Sequence, residues 1–344
     1  MTLSRNFLRK SREFFVRARR GPTRRRSKVL VSVIAAVALG GLALGLSFTS
    51  HAATPTNPSG LPWKSGVSVP GDSSWATATI AFGSWRGKSI DAAILWPTRS
   101  SWADFVSPSS QYSSWAAEPF TKVIGIPLYP ENIGAKVSAC TAGSYNSYWR
   151  TFATTMESSG LAGQGTIIRL GWEMNLHTDW GTPSQFAACW RDIVSIVKPI
   201  APGLLWDWNV NRGSSGGMPG TTVLTAYPGN SYVDIVGVDS YDFWPPATAV
   251  GGWQQQLTGA YGLNYWLAFA SAHGKQFSVP EWGLQATTND GGGDDPGYIS
   301  DMYNFFASNS GTVAFESYFN YPGYSLNGPD QYPNSAAEYA LLWG

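Results

Sequence analysis

Two glutamates stand at the ends of apolar, β-branched runs. Residues Gly165 to Asn175 read GTIIRLGWEMN and place Glu173 after IIRL, and Gln276 to Leu284 read QFSVPEWGL and place Glu281 after FSVP. Breaking the acetal bond between two sugars needs one carboxylic acid to protonate the leaving oxygen. It also needs a second carboxylate to attack the anomeric carbon or to activate water. Two carboxylates at the ends of two separate strands suit that division of labour.

The elements that would position them repeat along the chain. Strands are expected at 66–69, 91–96, 122–128, 166–172, 204–208, 233–239, 276–280 and 312–318, short and apolar almost throughout, as buried parallel strands are. Helices are expected between them at 73–85, 145–158, 183–197, 253–273, 296–307 and 336–342, with Pro183 and Pro296 where a first helical turn tolerates proline. Segments 98–118 and 212–227 read as partly irregular. Eight strands alternating with helices predict a single (β/α)8 barrel over residues 66–344. The competing doubly wound sheet would carry a glycine-rich first turn and a cofactor fingerprint, and the sequence has neither.

Chemistry in such a barrel gathers at the C-terminal strand ends. The acids there are Glu131, Glu173, Asp207, Asp239, Asp242, Glu281 and Glu316. Strand alternation puts Arg169, Gly171 and Glu173 on one face, and Phe277, Val279 and Glu281 on another, so both glutamates can point inward. Asp207, just before Trp208, is expected to face the helices, Glu316 stays unplaced, and Asn209 with Asn211 shares one face beyond the fifth strand. Sugars stack their C–H faces on aromatic rings and hydrogen-bond their hydroxyls to amides and carboxylates. Of the 17 tryptophans, Trp75, Trp149, Trp190 and Trp266 lie on helical stretches and read as core. Trp96, Trp172, Trp208 and Trp282 lie at strand ends and read as site residues.

IRLGWEMN, the loop Asp179-Trp180-Gly181, VDIVGVDSYD and VPEWGL together resemble the motifs of glycoside hydrolase family 26, the β-mannanase and β-glucanase family of clan A barrels. The resemblance implies Glu173 as acid/base at the end of strand four, Glu281 as nucleophile at the end of strand seven, and Tyr241 hydrogen-bonded to the nucleophile. One position departs from it. The family usually has histidine immediately before the acid/base, where this chain has Trp172; a hydrophobic neighbour would raise the carboxyl pKa. The expected substrate contacts are Trp96, Trp172, Asn175, Trp180, Trp208, Asn209, Tyr241 and Trp282.

Composition bounds the partners. The formal net charge is +1, yet residues 1–28 hold eleven Lys/Arg against Glu13, leaving 12 basic and 21 acidic residues beyond them. A remainder near −9 argues against nucleic acid; the expected partner, implied by the strand-end acids and the family resemblance, is a polysaccharide bound by a monomer. An apolar run, 29–48, and Ser50-His51-Ala52 follow the basic stretch, the layout of an export signal cleaved between Ala52 and Ala53; an uncleaved membrane anchor is the rival reading. Residues 53–65 read as a Pro/Thr-rich linker. Cys140 and Cys189 are expected to pair as a structural disulfide after export. No metal or cofactor is expected: histidines are few, and NDGGGDD (289–295) reads as a flexible loop, since its spacing is not that of a calcium loop.

Overall fold

A computed structural model describes residues 57–70, 74–130, 134–177, 179–213, 220–328 and 331–344. The expected signal segment, residues 53–56 of the linker and Glu131 lie outside them. Eight parallel strands close into a barrel in sequence order, β1 pairing with both β2 and β8. They are β1 (Lys64–Ser68), β2 (Ala92–Leu95), β3 (Thr121–Ile126), β4 (Ile167–Leu170), β5 (Leu205–Asn211), β6 (Ile235–Tyr241), β7 (Gln276–Gly283) and β8 (Val313–Phe319). The outer layer holds α1 (Trp75–Arg86), α2 (Trp102–Val106), α3 (Ser109–Ala116), α4 (Val137–Thr141), α5 (Asn146–Ser158), α6 (Pro183–Val197), α7 (Gly252–Thr258), α8 (Leu263–Ala272), α9 (Pro296–Ser308) and α10 (Pro333–Trp343).

Local chemistry sets the boundaries. Thr182 opens α6: its hydroxyl accepts from Gln185 N at 3.3 Å, Gln185 Oε1 accepts from Thr182 N at 2.9 Å, and Pro183 fills the first turn. The single helix expected over 253–273 is instead two, α7 and α8, because the chain turns at Gly259 and Gly262, where no side chain would fit. The linker expected over 53–65 is shorter: Trp63 is buried against Tyr303 and Phe306, and β1 begins at Lys64. NDGGGDD is anchored rather than loose. Asp294 accepts from Ser335 N at 2.8 Å at the start of α10, and Asp295 caps α9 by accepting from Tyr298 N at 3.2 Å.

Two apolar layers result. Ala92, Ile94, Val123, Ile167, Ile235 and Phe315 fill the barrel interior. A much larger set packs between the strands and the helices. Cys140 and Cys189 form a disulfide that joins α4 to α6.

Candidate active site

Above the apolar floor the interior turns polar. Arg169 of β4 is fully buried, and its guanidinium reaches three neighbouring strands. Nη1 donates to Glu281 Oε1 at 2.7 Å, and Nη2 donates to Asp239 Oδ2 at 2.6 Å and to Asn209 Oδ1 at 3.1 Å. Ions this far from water persist because each is paired and hydrogen-bonded.

Glu281 occupies the mouth of β7. Its second oxygen accepts from the Tyr241 phenol at 2.8 Å, and its backbone N–H donates to Asp239 Oδ1 at 3.1 Å. Tyr241 therefore stands where the family resemblance put it. Strand alternation does not explain the inward turn of Glu281. Ser278 points inward, donating to Asp207 Oδ2 at 3.0 Å, while Phe277 and Val279 belong to the outer layer. A bulge in β7 between the pairs Gly237↔Ser278 and Ser240↔Trp282 adds a residue and reverses the parity, so that Glu281 faces in and Trp282 out.

Glu173 lies past the end of β4, which stops at Leu170. Gly171 at φ 55° and Glu173 at φ 46° turn the chain through left-handed conformations. A side chain at position 171 would crowd Phe186 and Trp180, so glycine suits the turn twice over. The turn is held by Asn209 Oδ1, which accepts from Glu173 N at 2.8 Å, and Asn211 Nδ2 donates to Glu173 Oε1 at 2.7 Å. Burial, then the charge of Glu281, pushes the Glu173 carboxyl up to about 7; the Asn211 bond and Arg169 pull it down less. The two glutamates thus share one field but not one environment.

Two further carboxyls support them. Burial raises Asp239 well above the ordinary range and lifts Asp207, below Arg169, to about 7. Asp207 was expected to face the helices. It faces inward with Asn209, and a side chain at Gly237 would strike its Oδ1. Trp208 takes the outward place, packing on Trp266 and Phe269 and donating to Ala226 O at 3.2 Å. The expectation that Trp208 and Trp282 contact substrate is therefore overturned: both indoles are fully buried in the helix layer.

Asn175 is likewise not a ligand contact. Its amide is spent on both sides of Asn211, donating to the carbonyl at 2.9 Å and accepting from N–H at 2.8 Å, which clamps the loop after β4 to the end of β5. Asn209 is fully buried with both amide atoms engaged. Trp180 supports the loop from behind, stacked on His177 at 4.0 Å and on Phe186 at 5.9 Å, and is only 5% exposed.

Trp96 keeps part of its surface exposed, and Trp172 is 9% exposed. They meet edge to face at 4.7 Å, and Trp96 lies over Gly125, where a β-carbon would overlap its ring. The Arg169 guanidinium sits 5.4 Å from the Trp96 ring, joining this pair to the charged cluster. Beside Glu281 stands an aromatic group that the sequence did not reveal: Tyr241, Phe319, Tyr321 and Tyr324, with Phe319 stacked on Tyr321 at 4.3 Å. Among the described residues no group of three or more His, Cys, Asp or Glu is arranged to hold a metal.

Comparison with known proteins agrees with this geometry. Residues 172–281, from the tryptophan beside one glutamate to the other glutamate, match the family described as Glycosyl hydrolase family 26. Endoglucanase H of Acetivibrio thermocellus is 28% identical over 134 residues, which cover 39% of this chain and 14% of that protein's length. Among solved structures, GH26C of a Muricauda species aligns with a TM-score of 0.59 at 15% identity, over 81% of this chain and 84% of that one. A Cellulomonas fimi endo-beta-1,4-mannanase double mutant aligns with a TM-score of 0.58 at 14% identity, over 81% and 70%. The structural likenesses show the shared barrel. The sequence match makes residues 172–281 similar to family 26 and supports a glycoside hydrolase.

Proposed function

We propose that the chain is an exported, retaining β-glycanase in which Glu281 is the nucleophile and Glu173 the acid/base. One observation carries this reading: the barrel mouth holds two carboxyls in opposite environments, Glu281 gripped by a guanidinium and a phenol and Glu173 buried with its proton held up to about 7. Such a pair divides the work of acetal cleavage. Glu281 attacks the anomeric carbon while Glu173 gives its proton to the departing oxygen. Glu173, now ionised, then takes a proton from the water that releases the sugar from Glu281, and the configuration is retained.

The substrate class is supported by the Trp96–Trp172 pair, the aromatic group beside Glu281, and the relatives, one named an endoglucanase and another an endo-beta-1,4-mannanase. A β-1,4-linked glucan or mannan fits a cleft of that kind. Trp172, where the family usually has histidine, makes glucan a substrate to test alongside mannan. The basic N-terminus followed by an apolar run supports export.

The test is a screen of soluble mannan, mixed-linkage glucan and cellulose derivatives with wild type and Glu173→Ala, reading reducing ends and, by NMR, the anomer first released. Expected are reducing ends from at least one glycan, a β-anomeric first product, and collapse in the variant. Inversion would overturn the nucleophile assignment. Glycan binding without any release of reducing ends would leave a binding protein on this scaffold.

A further inference from the structure

The loop after β4 carries Glu173, and the loop after β3 backs it. Three fasteners join the two. The Tyr129 phenol donates to Asp179 O at 3.1 Å. Val137, the first residue of α4, packs so close to Gly181 that a β-carbon there would strike its Cγ1. Cys140 of α4 is bonded to Cys189 of α6. The cleft chemistry uses none of these groups.

The two helices joined by sulfur differ in what holds them. α4 has five residues, no side-chain cap and two buried side chains, Val137 and Cys140. A helix that short does not stand by itself in water. α6 has fifteen residues, the Thr182–Gln185 capping box and a row of buried side chains from Phe186 to Val197. The disulfide therefore pins a weak element to a strong one, and α4 keeps its place against Gly181 through it.

The consequence runs to the acid/base. Trp180, beside Gly181, meets Trp172 edge to face with centroids 6.3 Å apart. Trp172 precedes Glu173, whose carboxyl is raised first of all by burial. From the β5 side the same turn is held without sulfur, by Asn209, Asn211 and Asn175. Loss of the disulfide thus loosens the β3 side alone and lets water toward Glu173. Cys140 and Cys189 are 1% and 0% exposed, which shields the bond from thiols in the folded chain. It is set as the chain folds rather than toggled afterwards.

We propose that closing the Cys140–Cys189 bond is a maturation step that completes the acid/base site. The dithiol chain forms the barrel with one side of Glu173 loosely backed, and the oxidised chain is the active form. In the step, the two thiols give two electrons and two protons to a small-molecule disulfide, which leaves as two thiols as the S–S bond forms. The proposal rests on Glu173 as acid/base. Joined to export, it keeps activity low until the chain reaches an oxidising compartment.

The experiment compares wild type with Cys140→Ser/Cys189→Ser, following kcat against pH and the Glu173 carboxyl by NMR titration, with circular dichroism as the check on folding. Expected in the folded variant are a kcat about tenfold lower near neutral pH and a Glu173 titration, with the alkaline limb, about one unit lower. Wild type refolded from the reduced, denatured state should match the variant until a small-molecule disulfide is added, and then regain its rate. A folded variant with unchanged kcat and unchanged Glu173 titration would overturn the proposal. If the variant does not fold, Tyr129→Phe decides, since it removes another fastener and keeps the disulfide: a lower Glu173 titration supports the clamp and an unmoved one overturns it. If wild type releases no reducing ends from any glycan, the catalytic reading fails separately, and the NMR titration still tests the clamp.

Discussion

Two buried glutamates lie on neighbouring strands on either side of Trp282, and they lead opposite lives. Glu281 faces the barrel mouth, where its partners are the Arg169 guanidinium and the Tyr241 phenol. Glu316 of β8, fully buried, faces the helices. It accepts from Trp282 Nε1 at 2.6 Å and Trp343 Nε1 at 2.9 Å, with Trp63 Nε1 at 3.5 Å. Neither a buried carboxylate nor a tryptophan beside it marks a site. What separates the two is the face of the sheet and a guanidinium that bonds Glu281 directly, where Glu316 is held by indole and hydroxyl donors. Inside, a charged partner holds the carboxylate open to a ligand. Outside, three indoles and the Ser65 hydroxyl enclose it, with the buried Arg86 acting on it through charge, and they tie the start of β1, β7, β8 and α10 together.

The sharpest way to break that contrast is turnover. Glu281→Ala should lower kcat on the order of a thousandfold or more. The variant should stay folded, because Arg169 keeps Asp239 as its partner. Glu316→Gln should leave kcat within about twofold of wild type, as expected of a change that touches no reacting atom. Steady-state rates at a temperature where circular dichroism shows both variants folded decide it. Equal collapse of the two would mean that the outer cluster positions the nucleophile through Trp282.

Stability should reverse the ranking. In Glu316→Gln an amide N–H₂ replaces one acceptor oxygen and faces indole donors, leaving a buried polar group unsatisfied. The expected cost is about 1–3 kcal/mol, read as a lower urea midpoint at constant slope. A midpoint equal to wild type would show that the indole cage contributes nothing to the fold.

That Glu316 stayed unplaced in the sequence while Glu281 was found shows what the sequence carries. Strand and helix periodicity is written locally, so the barrel and the start of α6 at Pro183 were legible. Arg169 and Glu173 were correctly put on the inner side, although the Gly171 turn, not an extended strand, delivers Glu173. Glu281 was found for a reason that does not hold: counting from Phe277 and Val279 leads outward, and only the bulge in β7 brings the carboxylate in. A bulge depends on how neighbouring strands pair, so it leaves no periodic trace. The same limit hid Asp207, exchanged in expectation with Trp208, and the Asn175 clamp, whose partner Asn211 sits on another strand. The Arg169 network was missed because its members come from four strands.

The finest test concerns the acid/base alone. Glu173 donates its proton in the first step, so kcat should fall as pH rises through about 7, the value to which burial and then the charge of Glu281 raise it. Asn211 donates to the ionised form and lowers that value. In Asn211→Ala the charged form loses its donor, Glu173 keeps its proton to higher pH, and the alkaline limb should move up by about one unit or less. The stability sign is fixed by the same shift. Between the ordinary 4.5 and about 7, the folded chain holds a proton that the unfolded chain has released, so this group's contribution to stability falls as pH rises through that window. A pH–rate profile of wild type and Asn211→Ala measures the limb directly. A limb that stays in place, or moves to lower pH, would mean that another group sets it and that Asn211 only shapes the turn.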